Sequence, residues 1–275
     1  MDTPPPDIAR DVEVAIAAAR AGAAAVAAGA RPAAADVAWK GAVNPVTVID
    51  HAAETAALEV VRDVFPHDEI LAEESGAQPG TSGRRWIVDP LDGTVNFLHG
   101  VPHSACSVAL LDGVQAMLGV TVNPFRNEEF VAWRRGGAWC NGARIAVSST
   151  AGLGEALLAT GFPYDRNEHG RSYGAAMGAV LEACQGIRRF GSAVLDLADL
   201  ACGRYDGFWE HLLAPWDTAA GIVLVEEAGG RVSDPHGVSF RPGDRTIVAS
   251  NGRIHDALAA VVAANPPAHF AGALA

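Results

Sequence analysis

Lysine is nearly absent from this chain. Of its 20 basic residues, Lys40 is the only lysine and the others are arginine. A codon bias towards arginine explains most of that, and it leaves Lys40 as a lone side-chain ammonium. Positive charge as a whole is scarce, with a formal net charge of −12 at pH 7. That balance argues against nucleic acid or an anionic membrane as the main partner. An anionic substrate fits only if cations bound in the site reverse the sign locally. Cysteine is sparse too: Cys106, Cys140, Cys184 and Cys202 are scattered with no C-x-x-C pair. Reduced core residues of a cytoplasmic protein are expected, rather than a thiolate zinc site or a disulfide framework. The start, Met1 to Asp7, has no basic leader, and Asp11, Glu13 and Arg20 break the Ala-rich stretch after it. Neither a signal peptide nor a membrane span is expected. No Ser/His/Asp or Cys/His nucleophile pattern stands out. His99, His103 and His211 lack the spacing of a metal pair and are expected at the surface or a pocket rim.

What the chain does have is three acidic motifs. The central one is Trp86-Ile87-Val88-Asp89-Pro90-Leu91-Asp92-Gly93-Thr94-Val95-Asn96-Phe97. Trp86 to Val88 has strand character and ends at a proline, which biases Asp89 towards extended backbone. Asp92-Gly93-Thr94 reads as a turn opening a helix, whose free N–H groups suit an anion. Two carboxylates three residues apart there suit hard cations and the phosphate they carry. A strand, a Pro turn and an Asp cap would read the same on spacing alone. Upstream lies Leu71-Ala72-Glu73-Glu74-Ser75-Gly76, and downstream Pro215-Trp216-Asp217-Thr218-Ala219-Ala220-Gly221.

Together and in this order, the three resemble the signatures of the inositol monophosphatase family of metal-dependent phosphatases. Those are a Glu-Glu-Ser loop, D-P-[ILM]-D-G-T-x-N-F and W-D-x-A-A/G-G. The likeness runs from about Lys40 to about Ser233. It implies an α+β or α/β fold, a layered αβαβα sandwich of the sugar-phosphatase type, and two or three Mg²⁺. Glu73, Asp89 and the Leu91 carbonyl would hold the first ion, and Asp89, Asp92 and Asp217 the second. Thr94 and Glu73 would orient the attacking water, with Thr47 and Asp50 behind them. The N–H groups of Gly93 and Thr94 would receive phosphate oxygens. Gly191-Ser192-Ala193, Glu210 and Asp217 would line the substrate pocket, and Lys40 matches a loop lysine near the metals. Each has a plainer reading as well: Asp50 as a helix N-terminal carboxylate, Asp217 as an N-cap, Glu210 as a strand-end residue.

Along the chain, helices are expected from Asp7 to Gly29, with Gly22 a weak point, and from Ile49 to Val64. Lys40 to Thr47 reads as a loop. Asp112-Gly113 and Asn141-Gly142 signal hairpins in a β-rich meander. Ser148 to Gly154 is the expected boundary between residues 1–148, with most metal ligands, and 149–275, an alternating α/β half with Asp217 and the pocket.

The resemblance implies a phosphoric monoester hydrolase, with myo-inositol 1-phosphate the leading substrate. Relatives with the same metal core act on histidinol phosphate, fructose 1,6-bisphosphate or 3′-phosphoadenosine nucleotides. Val95-Asn96-Phe97, in place of Lys-Glu-Phe, favours the inositol branch. Lithium sensitivity and a homodimer are family expectations. A non-catalytic scaffold that kept the fold is the alternative from another class. Retention of Glu73, Asp89, Asp92, Thr94 and Asp217 argues against it.

Overall fold

The computed structural model describes residues 1–29, 37–40 and 45–270. Within the loop expected at Lys40 to Thr47, Gly41, Ala42, Val43 and Asn44 lie outside these. Helix α1 (Pro6–Ala28) has proline in its first turn, where no intrahelical donor is required. A small ribbon of β1 (Ala38–Trp39) and β2 (Pro45–Val46) precedes α2 (Val48–Val64). Next come β3 (Glu69–Ala72), β4 (Gly76–Gln78), β5 (Arg84–Asp92) and the short α3 (Thr94–His99). The meander is β6 (Ala105–Asp112), β7 (Gln115–Asn123), β8 (Glu128–Trp133), β9 (Gly137–Cys140) and β10 (Ala143–Ile145). These strands form one sheet in the order β10-β9-β8-β7-β6-β5-β3-β4, with β3 and β5 parallel.

The rest alternates: β11 (Leu157–Thr160), α4 (Arg166–Ala183), β12 (Gly186–Arg188), α5 (Ala193–Ala201), β13 (Gly207–His211) and α6 (Pro215–Glu227). It ends with β14 (Arg231–Ser233), β15 (Thr246–Ser250) and α7 (His255–Ala264). The second sheet has the order β12-β11-β13-β15-β14, with β11 parallel to both neighbours.

Burial sorts these elements into five layers. Val12, Ala15, Ala19, Leu58 and Val61 of α1 and α2 cover the outer face of the first sheet through Trp86, Val88, Val108 and Val120. Helices α5 and α6 lie between the sheets, where Leu197, Leu200, Ile222 and Leu224 meet Ile87, Phe130, Phe208 and Ile247. Val180 and Leu258, from α4 and α7, close the far side against Leu158, Trp209 and Val248. The result is the αβαβα sandwich. None of the helices in the described residues is long and apolar enough to cross a membrane.

Four local expectations are adjusted. Gly22 does not weaken α1: a Cβ there would come within 2.5 Å of Cys106 Sγ, so the glycine permits a close helix–sheet approach. Strand β5 does not end before Pro90. Its pairing with β6 breaks between Asp89 and Asp92, so the proline withholds no needed ladder N–H. The first hairpin turns at Gly113 and Val114, since Asp112 already pairs with Gln115. Strand β9 is short and begins with glycine, and the sequence offered no alternation to find it.

Candidate active site and metal centre

Strand periodicity aims the first carboxylate. Ile87 belongs to the inter-sheet core, and Asp89, two residues on, shares its face. That face meets α6, which small residues let approach closely. A Cβ on Gly119 of β7 would sit 2.6 Å from the Ala220 backbone, and one on Gly221 would sit 2.4 Å from Leu197. The Ala-Ala-Gly of the third motif is therefore a packing device that brings the first turn of α6 to the end of β5. Carboxylate oxygens of Asp89, Asp92 and Asp217 consequently lie within 4.8 Å of one another. Asp217 also accepts the Ala214 N–H at 2.6 Å, so it serves the helix start and joins the cluster at once.

Asp92 is held from the other half of the chain. Its Oδ2 accepts the Ser192 hydroxyl at 2.6 Å and the Val194 N–H at 2.8 Å. Gly93 adopts a left-handed φ of 86° that turns the chain into α3. Thr94 Oγ1 lies 3.0 Å from the Leu91 carbonyl and 3.1 Å from Asp50 Oδ1. Asp50 Oδ2 in turn accepts the Thr47 hydroxyl at 2.6 Å and its N–H at 2.8 Å. Helix capping and the link to Thr94 are thus both performed by Asp50.

Glu73 lines the same cavity as the three aspartates, but its Oε1 lies 3.3 Å from the Lys40 ammonium, which also contacts Glu74 at 2.5 Å. The turn carrying both glutamates hangs on Glu54, whose carboxylate accepts the N–H groups of Glu74 and Ser75 at 2.7 and 2.9 Å. Sequence reasoning missed Glu54. Its place one helical turn after Asp50, on one buried face, was the available signal.

The cavity measures about 250 Å³. Gly191, Ser192, Ala193 and Glu210 line it as well. Alternation along β13 points Phe208 and Glu210 towards α5, and Trp209 the opposite way. Gly161 leaves room for the Glu210 carboxylate, since a Cβ there would fall 2.1 Å from it. Arg189, Tyr164, Arg166 and Asp196 also line the cavity and were missed. Asn96 donates to the Phe190 and His103 carbonyls at 2.8 Å, tying α3 to the Gly191 segment. Of the three histidines, His103 departs from expectation: it is buried and does not line the cavity. His211, packed against Thr246 Oγ1 at 3.0 Å, does line it, and His99 is exposed.

The electrostatics suit a cation at the cluster. Burial, followed by the neighbouring acids, holds the protons of Asp89 and Asp217 well above the ordinary carboxylate range. Burial lifts Glu73 to about 7, with Lys40 opposing and Glu74 adding to it. It lifts Glu210 to about 8, with Arg189 opposing. Oxygen-only donors gathered against their own repulsion fit a hard divalent ion such as Mg²⁺. A second group, Asp165, His169 and His269, also lies within 4.8 Å. Its imidazoles stack with centroids 3.9 Å apart and planes 8° apart. An imidazole ligates through an in-plane lone pair, so rings stacked this way cannot share one ion.

The family model described as the inositol monophosphatase family matches residues 7–266. The chain belongs to the inositol monophosphatase family. An inositol-1-monophosphatase of Synechocystis is 45% identical over 223 residues, 80% of this chain and 77% of that one. The Nus factor SuhB of Escherichia coli is 42% identical over 230 residues, 83% of this chain and 86% of that one. The solved inositol monophosphatase of Anabaena superposes with a TM-score of 0.83 at 38% identity, covering 96% of this chain and 99% of that one. Family membership supports a phosphatase activity on a small phosphorylated molecule.

Proposed function

We propose that the chain is a Mg²⁺-dependent phosphomonoesterase whose preferred substrate is myo-inositol 1-phosphate. The observation that carries this is the gathering of Asp89, Asp92 and Asp217 within 4.8 Å, in a cavity that Glu210 also lines. Glu73, Asp89, the Leu91 carbonyl, Asp92 and Asp217 would hold the metal. When bound, Mg²⁺ supplies acidity for the attacking water and positive charge for the phosphate and departing oxygen. Glu73 and Thr94 Oγ1 orient that water, and the Asp50 carboxylate accepts the Thr94 proton. The N–H groups of Gly93 and Thr94 receive phosphate oxygens. Glu210 and the Gly191–Ala193 segment take the ring hydroxyls, and a carboxyl group suits a vicinal diol. On this reading residues 1–148 supply most metal ligands and 149–275 supply Asp217 and the pocket, in a cytoplasmic homodimer inhibited by lithium.

Phosphate release from a panel of polyol, sugar, histidinol and nucleotide phosphates, with and without Mg²⁺, tests this. Mg²⁺-dependent release led by myo-inositol 1-phosphate is expected. Release that survives chelation overturns the metal reading, and a lead by another phosphate overturns the substrate. Relatives named Nus factor support a second reading, a non-catalytic partner protein built on this fold. Absence of metal-dependent release across the whole panel would favour it.

A further inference from the structure

Asp196 lies on α5, one turn after Ser192, and is 1% exposed. It lines the same cavity as Glu210, Ser192 and Arg189. Its Oδ1 has no hydrogen-bond partner among the described residues. The acids around it are provided for: Asp92 by Ser192 and Val194, Asp217 by Ala214, and Asp199 by Arg126 and Arg204. Asp196 is also outside the group of three aspartates that suits a metal ion. A buried acceptor left without a donor is costly and calls for an explanation in a native fold.

The surroundings point to one. Asp196 and Glu210 are both buried and both line the cavity; they repel each other, and Arg189 opposes both. Such a pair is satisfied by a ligand that brings two hydroxyl donors on adjacent carbons. We propose that Asp196 is a second hydroxyl-reading group of the substrate pocket, its carboxyl group turning to meet a ring hydroxyl beside the one taken by Glu210. This rests on the polyol-phosphate reading of the cavity. A phosphate ester without hydroxyls has no donor for Asp196, so the residue discriminates between substrates without touching the hydrolytic step.

The test compares Mg²⁺-loaded wild type, Asp196→Ala and the volume-preserving Asp196→Asn. Each is assayed on myo-inositol 1-phosphate and on phenyl phosphate, and thermal midpoints are taken for the metal-free proteins. In Asp196→Ala, kcat/KM for the polyol phosphate is expected to fall at least tenfold, mainly through KM. That for phenyl phosphate stays within twofold. Asp196→Asn, which keeps an acceptor oxygen, shows a smaller loss of the same kind. A thermal midpoint at or above wild type is expected for Asp196→Ala, since an unpartnered buried group is removed. Equal losses on both substrates, or a lowered midpoint with preference intact, would mean that Asp196 only supports the fold. A wild type with no preference for the hydroxyl-bearing ester overturns the polyol reading and this proposal with it. A wild-type preference that both variants keep overturns this proposal alone.

Discussion

The Ser192 hydroxyl donates to Oδ2 of Asp92 at 2.6 Å, joining the end of β5 to the start of α5. The same hydroxyl oxygen accepts the Leu195 N–H at 3.3 Å, so one side chain caps the helix and orients a carboxylate of the cluster. Ser192→Ala is expected to destabilise the fold by about 1 kcal/mol, the usual worth of an N-cap. It should also raise the Mg²⁺ concentration needed for half-maximal activity. Loss of stability with an unchanged Mg²⁺ requirement would leave Ser192 a cap and nothing more.

Removing a carboxylate from the cluster is a larger change. Asp92→Asn and Asp217→Asn keep shape and remove an anionic donor from a site that works by charge. A kcat loss of roughly 10³-fold is expected at saturating Mg²⁺, since a positioned metal supplies several kcal/mol of transition-state stabilisation. Circular dichroism should be unchanged. Near wild-type hydrolysis by either variant would sink the ligand assignment.

Much of this site could be read from the chain because its parts are local. Asp89, Asp92, Gly93 and Thr94 are neighbours, and the Asp217 motif carries its packing signal in Ala219-Ala220-Gly221. What escaped the sequence is what depends on tertiary approach. Arg189 and Asp196 reach the cavity only because α5 is clamped between the sheets. Glu54 acts on a turn 20 residues away, and β9 has too few side chains to show a period. His211 does line the cavity, but its burial under Tyr173 and Phe270 is a tertiary packing that its place in the sequence does not show.

Glu210 makes the metal-free protein sensitive to alkali. Burial holds its proton to about pH 8 in the folded chain, against an ordinary value of 4.5. Below 4.5 the folded and unfolded chains both carry the proton and nothing is lost. Between the two values only the unfolded chain releases it, so stability falls as pH rises, by about 1.4 kcal/mol per unit for one proton. Above the upper value that loss is complete, and Glu73, raised to about 7, acts in the same direction. Thermal midpoints of the metal-free protein are expected to fall between about pH 4.5 and 8. Glu210→Gln, with no proton to release, should flatten part of that fall. Superimposable profiles for the two proteins would contradict a desolvated Glu210.

The same substitution separates binding from chemistry. Glu210→Gln should weaken selection among polyol phosphates while sparing an aryl phosphate, because a hydroxyl-reading group acts only on substrates with hydroxyls. Equal impairment of both would make Glu210 a support for the fold or the metal cluster.

The last expectation concerns Lys40, whose ammonium lies 3.3 Å from Glu73 Oε1 and 2.5 Å from Glu74 Oε1. Burial disfavours the charged lysine, but Glu73 and Glu74 together outweigh it and raise its pKa. The ammonium therefore stays charged at neutral pH beside a carboxylate assigned to a metal, and it repels any cation entering there. Li⁺ is close to Mg²⁺ in size with half the charge, so it can enter an all-carboxylate site yet supports a departing oxyanion less well. Phosphate release is expected to fall with LiCl and to hold with NaCl at equal ionic strength, with Mg²⁺ competing. In Lys40→Gln the inhibition should strengthen, because a positive charge next to Glu73 is gone. Equal responses of wild type to the two salts would argue against a loosely held cation at Asp89, Asp92 and Asp217. An unchanged lithium response in Lys40→Gln would place the lysine too far from that cation to matter.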